Sequence, residues 1–173
     1  MAALRKTSDL YLIALGSNKR HHRHGPPEAV LGAAVAALRA QGLDVEAVAP
    51  VIRSAPVGPS RRRYANGAVV VRCDLAPPAM LALVKRIEAD FGRRRGQRWG
   101  ARVVDLDLVL WSGGVWRSKG LEVPHRLWRL RDFVMRPACA IAPRWRDPVT
   151  GFSVAQHFNR LTKPRPAPRG ALP

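Results

Sequence analysis

Asp105 and Asp107 stand two positions apart in the apolar stretch 103–110. In an extended chain, residues i and i+2 share a face, so the two carboxylates lie on one side with Cα atoms about 7 Å apart. Val104, Leu106, Leu108 and Leu110 then form an unbroken apolar face opposite. Just ahead come Arg93, Arg94, Arg95, Arg98 and Arg102. Oxygen donors suited to Mg²⁺, set beside planar guanidinium forks, can share the negative charge of a polyphosphate. A bare D-x-D beside arginines can equally be a surface ion network, and only the neighbouring sequence separates the two readings.

The elements that must hold these groups follow from periodicity. Residues 10–15 form a short apolar strand that ends at Gly16, Ser17 and Asn18. The basic loop 19–25 carries His21, His22 and His24. Residues so close in sequence rarely converge on one ion, so a mobile solvated loop is expected there. Pro26 and Pro27 open a helix to about Ala40, with Val30, Ala33, Ala34, Ala37 and Leu38 as its apolar stripe and Gly42 closing it. Residues 45–53 and 65–74 read as β-rich, separated by the Pro- and Gly-containing loop 54–63. A second helix starts at Pro77 and Pro78, where Met80, Val84, Ile87 and Phe91 form the core stripe and Lys85 and Glu88 share another face. The aspartate strand comes next. Further helices are expected over 131–141 and 154–161, and a disordered basic tail over 163–173. The order βαββαβ predicts one α+β domain over 1–162, a ferredoxin-like antiparallel sheet with helices packed on one face.

Thirty basic against twelve acidic residues in 173 give a net charge of +18, which suits a nucleic-acid partner or a strongly anionic ligand without choosing between them. Cys73 and Cys139 form no C-x-x-C and fit reduced, buried thiols. The first nine residues lack an apolar signal segment, and no apolar run nears the roughly 20 residues of a membrane span, so a cytoplasmic protein is expected. No G-x-x-x-x-G-K-[ST] segment is present, which disfavours a P-loop enzyme.

Four blocks in order carry a family resemblance: YLIALGSN at 11–18; RSAPVGP at 53–59 leading into Tyr64 and Asn66; the arginine-rich stretch 93–110 with RWGAR at 98–102 and the aspartate pair; and VPH at 123–125 with RDF at 131–133 and IAP at 141–143. Together the chain resembles the 6-hydroxymethyl-7,8-dihydropterin pyrophosphokinases of folate biosynthesis, which move the terminal diphosphate of ATP onto a pterin alcohol and release AMP. The resemblance implies the same α+β fold, with two Mg²⁺ ions held by Asp105 and Asp107. It places Glu88, Arg95, Arg98, Trp99, Arg102, His125 and Arg131 on the ATP side, Arg95 and Arg98 being catalytic with the two aspartates. It places the pterin between Tyr64 and Phe133, with Ser54, Val57 and Asn66 at its amide-like edge.

Some positions depart from the family pattern. Ala101 stands where proline is usual, Lys85 where glutamine is common, Ser54 for a frequent threonine, and the second residue after Gly-Ser-Asn is not glycine. A loop over 92–100 with three glycines and four arginines is expected to order around an anionic ligand. A monomer with no specific nucleic-acid partner and no membrane association is expected. The competing reading is a basic α+β nucleic-acid-binding module using Trp99, Tyr64 and Phe133 as stacking platforms. It gives no reason for two carboxylates on one strand face. A catalytically silent scaffold of the same family is the third reading, and the intact Asp105, Asp107, Arg98 and Trp99 argue against it.

Overall fold

The computed structural model describes residues 8–55, 63–92 and 103–163. Its centre is an antiparallel sheet built from β1 (Asp9–Ser17), β2 (Asp44–Val48), β3 (Ile52–Ser54), β4 (Tyr64–Cys73) and β5 (Asp105–Trp111). The spatial order is β2-β4-β1-β5, with β3 also pairing β4. Helices α1 (Pro27–Ala40) and α2 (Pro77–Asp90) make the crossovers, giving the expected βαββαβ arrangement. A proline at the first turn of each helix fixes φ where no amide partner is needed, which starts both helices where the sequence places them. The expected strand over 45–53 is instead two short strands, because Pro50 cannot donate to the ladder and β2 bulges between Val45 and Ala47.

Alternation along β1 divides the core. Tyr11, Ile13 and Leu15 face α1 and α2, meeting Val30, Ala34 and Leu38 from one helix and Met80, Val84 and Ile87 from the other. Leu12 and Ala14 face the other way, with Ala68, Val70, Trp128 and the residues of α3 (Asp132–Ile141). Helices therefore cover both faces of the sheet. Beyond the βαββαβ unit lie a hairpin of β6 (Trp116–Ser118) and β7 (Leu121–Val123), a 3₁₀ turn (Trp128–Leu130), α3 and α4 (Val154–Thr162), and α3 supplies the second layer. Each large apolar side chain fully buried in these layers contributes about 1.5–3 kcal/mol.

One expectation about β5 is corrected. Leu106 and Leu108 belong to the cluster under α2, but Leu110 lies on the α3 face with Val109. The register shifts there: Leu12 pairs Leu110 and Ile13 pairs Leu108, leaving Val109 as an extra residue. A bulge resets the period of two, so the apolar face does not run unbroken to Leu110.

Candidate active site

The sheet register brings the pieces together. Gly16 in β1 pairs with Asn66 of β4 on one side and Asp105 of β5 on the other. One step along, Ala14 pairs with Ala68 and with Asp107. Two strand spacings put the backbones of Asn66 and Asp105 about 10 Å apart. Between them the α3 face carries only Gly16 and Ala14, so Asn66 and the aspartates flank a floor of minimal side chains. The sequence pattern ends the first strand at Gly16, Ser17 and Asn18. In the structure Gly16 is a strand residue and the centre of this floor, where among the described residues an added Cβ would meet only Asn66 Oδ1 at 3.9 Å. The Ser17 hydroxyl next to it donates to the Val103 carbonyl and ties the end of β1 to the start of the aspartate strand.

Asp105 and Asp107 share one face, as the spacing predicts, and both are half-buried. Burial, and then the charge of Asp105, push the Asp107 carboxyl above its usual range, against the pull of His125, Lys85 and Arg131. His125 shifts the other way. Burial pushes its ring below the usual histidine range, and nearby Arg131 and Arg126 add to this, although Asp107 opposes it. Its backbone N–H donates to the Val109 carbonyl at 3.0 Å, and its Nδ1 accepts from the Leu127 amide at 3.2 Å, which fixes the ring beside the aspartate strand. His125 and Arg131, both expected on the nucleotide side, thus lie within electrostatic reach of Asp107.

Among the residues expected on the pterin side, Asn66 is 4% exposed and its Nδ2 donates to Ser54 Oγ at 2.8 Å. Ser54 and Tyr64 are cross-strand partners. By alternation Tyr64, Asn66 and Ala68 point to the same face, and Phe133 packs into the cluster on that face while Arg131 stands over its ring at 5.9 Å. Val57, Arg95, Arg98, Trp99 and Arg102, with the expected closing loop, lie outside the described residues.

Glu88, expected on the nucleotide side, lies under the sheet edge at β5. Its side chain is fully buried, with Oε1 accepting from the Leu106 amide at 2.8 Å and from Lys85 Nζ at 2.6 Å. Burial raises its carboxyl above the usual range, opposed by Lys85 and the Leu106 amide. The carboxylate therefore faces β5.

The histidine loop is solvated as expected, with Lys19, Arg20, His22, Arg23 and His24 exposed, but His21 turns inward and ties it down. His21 and Gly25 exchange backbone hydrogen bonds at 2.8 and 2.9 Å, and His21 Nδ1 accepts from the amides of Arg23 and His24. The His21 ring is 8% exposed, lies against His22 and His24, and meets Phe91. Among the described residues no group of three His, Cys, Asp or Glu side chains could hold a metal ion, so these histidines do not converge as ligands.

A second polar centre supports the site from behind and was not legible in sequence. Asp147 is fully buried and accepts two hydrogen bonds from Arg129, at 2.6 and 2.8 Å, one from the Val149 amide and one from Thr150, with His157 Nε2 at 3.1 Å. It anchors the 3₁₀ turn that leads into Arg131 and Phe133. Its own turn supplies Val149 and Thr150, but the partners that bury it, Arg129 and His157, come from separate segments that the local pattern does not reveal.

Comparison with known proteins agrees with this geometry. The family model for 7,8-dihydro-6-hydroxymethylpterin-pyrophosphokinase matches residues 12–143. The chain is 37% identical over 120 residues to a 2-amino-4-hydroxy-6-hydroxymethyldihydropteridine pyrophosphokinase of Synechocystis, covering 69% of this chain and 62% of that one. It is 36% identical over 137 residues to the Pseudomonas aeruginosa protein of the same name, covering 79% and 82%. A crystal structure of Plasmodium falciparum HPPK-DHPS superimposes with a TM-score of 0.68 at 11% identity, over 88% of this chain and 44% of that larger chain, a likeness of fold. With the family model spanning the sheet, both aspartates and the His125 to Phe133 segment, the chain belongs to the 7,8-dihydro-6-hydroxymethylpterin-pyrophosphokinase family.

Proposed function

We propose that the chain transfers the terminal diphosphate of ATP to the hydroxymethyl oxygen of 6-hydroxymethyl-7,8-dihydropterin and releases AMP. The observation that carries this reading is the cross-sheet row Asn66–Gly16–Asp105, which sets an amide suited to a pterin edge about two strand spacings from a pair of carboxylates suited to a metal–phosphate group. The pterin alcohol oxygen attacks the β-phosphorus; the bond from that phosphorus to the α,β-bridging oxygen breaks, and that oxygen leaves with AMP. Such a transfer needs alignment and charge stabilisation more than covalent help from the protein.

The donor set fits Mg²⁺. Two carboxylates share a face, and one is held above its usual pKa range by burial and by the other's charge; a dication relieves both. Mg²⁺ is commonly held by one or two carboxylates together with phosphate oxygens and water, so a third protein ligand is not required. Asp105 and Asp107 would hold two Mg²⁺ ions, which when bound neutralise the phosphate charge. Around them, Arg131 and His125 position the nucleotide, with Arg95, Arg98, Trp99 and Arg102 completing that side. Asn66, oriented by Ser54, offers a donor and an acceptor to the pterin edge, and Tyr64 and Phe133 offer aromatic faces, with Val57 beside them. We assign no general base, and the hydroxyl proton passes to solvent.

We place this activity in a cytoplasmic monomer. The two cysteines are free, and no described helix is long and apolar enough to cross a membrane. The decisive assay is AMP formation from ATP and Mg²⁺ with and without the pterin alcohol. AMP that appears only with the pterin supports the reading. No AMP, together with salt-resistant nucleic-acid binding at micromolar or tighter affinity, would replace it with the nucleic-acid module.

Two substitutions test the floor. Asn66→Ala removes hydrogen bonds worth about 1–3 kcal/mol, so pterin affinity should fall by about tenfold or more while ATP affinity changes little, as read by calorimetric titration of each ligand. A loss of ATP affinity alone would reverse the assignment of the two sides. Gly16→Ala should leave stability equal or slightly higher, because the position meets no close neighbour among the described residues and glycine carries an entropic cost of about 0.5–1 kcal/mol in a strand. The added methyl would nonetheless occupy the floor and weaken ligand binding by about tenfold. Unchanged affinity for both substrates would show that neither lies over Gly16.

A further inference from the structure

β5 is an edge strand of the described sheet. In an antiparallel ladder alternate residues turn N–H and C=O toward the neighbouring strand, and at an edge the residues between them face outward with no strand to pair. Leu106, the residue between the two aspartates, turns its groups outward, yet both meet partners from α2. Its N–H donates to Glu88 Oε1 at 2.8 Å, and its carbonyl receives Lys85 Nζ at 3.5 Å. Lys85 and Glu88 are joined to each other at 2.6 Å and lie three residues apart on one helix face.

We propose that the Lys85–Glu88 pair acts as a surrogate strand at Leu106, making Glu88 and Lys85 positioning residues for the aspartate pair. The two groups of Leu106 belong to the two peptide units that link Asp105 to Asp107, so gripping them fixes how the carboxylates are presented. Stability alone gives a poor reason for the pair. A buried ion pair is often no more stabilising than apolar residues of the same size. Alignment gives a better one. Only a few residues further along, β5 bulges at Val109, and a slip of one residue in a strand sends every side chain to the opposite face. A clamp at Leu106 holds the pairing at the aspartates while the bulge is accommodated beyond them. The role in catalysis rests on the proposed function above; the clamp itself does not.

The test is amide hydrogen exchange by NMR on the metal-free wild-type chain and on Glu88→Ala and Glu88→Gln, with Mn²⁺ as a paramagnetic probe of the metal site. In the wild type the Leu106 amide should exchange at least about 100-fold more slowly than an unprotected one, although it faces away from β1. Glu88→Ala should speed Leu106 by at least about tenfold relative to amides between β1 and β4, and should weaken Mn²⁺ binding about fivefold or more. Glu88→Gln, which keeps an acceptor for the amide, should recover most of the Leu106 protection. An unprotected Leu106 in the wild type overturns the clamp, and needs no variant to fold. Selective loss of Leu106 protection with unchanged Mn²⁺ affinity would reduce the pair to a structural contact, and Glu88→Gln behaving like Glu88→Ala would remove the hydrogen-bond account. If the wild type makes no AMP, the proposed function falls, while exchange and Mn²⁺ binding still decide the clamp.

Discussion

Asp105→Asn and Asp107→Asn should each lower turnover by at least about 100-fold while the chain stays folded. Each change keeps the side chain's shape and removes one negative charge from the pair. If the two carboxylates hold the ions that neutralise the triphosphate, losing either charge removes several kcal/mol of transition-state stabilisation, and about 2.7 kcal/mol already corresponds to 100-fold. Stability should hold or improve, because Asp107 is a half-buried carboxyl whose ionisation is opposed by burial and by Asp105. The measurement is AMP production at saturating ATP, pterin and Mg²⁺, beside a thermal melt of each variant. Near-normal turnover in either variant would sink the assignment of the pair to metal. Loss of turnover with a matching loss of folded protein would point to a structural role.

The largest effect on stability should come from Asp147→Ala, a loss of about 3–5 kcal/mol. The substitution leaves the partly buried Arg129 guanidinium without its carboxylate, and it strips the acceptor from the Val149 amide and Thr150. Breaking one side of a buried ion pair costs that much because the remaining charge stays desolvated and uncompensated. The pH dependence has a definite sign. Burial works against the charged form of Asp147, but Arg129 and the donated hydrogen bonds outweigh it and bring its pKa down to about 2. A carboxyl depressed in the folded state contributes stability that is fully present above its unfolded value of about 3.9 and fades as pH falls through the folded one. The gap between wild type and Asp147→Asn, measured by denaturant titration, should therefore be widest at neutral pH, shrink below about pH 4 and nearly close by pH 2. A constant gap across that range would mean that the carboxylate's charge plays no part.

Sequence alone determined a good deal. The helical stripes of α1 and α2, the proline starts of both, and the shared face of Asp105 and Asp107 follow from local periods of 3.6 and 2, which are properties of neighbouring residues and need no partner. The four blocks of family resemblance pointed to the family on the same local basis. Tertiary structure decided the rest, because it depends on pairings between distant segments. That Asn66 and Asp105 flank Gly16 is a matter of register between β1 and two strands that lie far from it in sequence. A period of two gives the face of a side chain but not its cross-strand neighbour. Leu110 changed face because one extra residue in the ladder at Val109 resets the alternation, and its own sequence context carries no sign of this. Glu88 reads locally as a charged residue on a helix beside a lysine. Only the packing of α2 against the edge of β5 turns that pair inward onto Leu106, and only the meeting of Arg129, Asp147 and His157 from three separate segments makes Asp147 a buried hub.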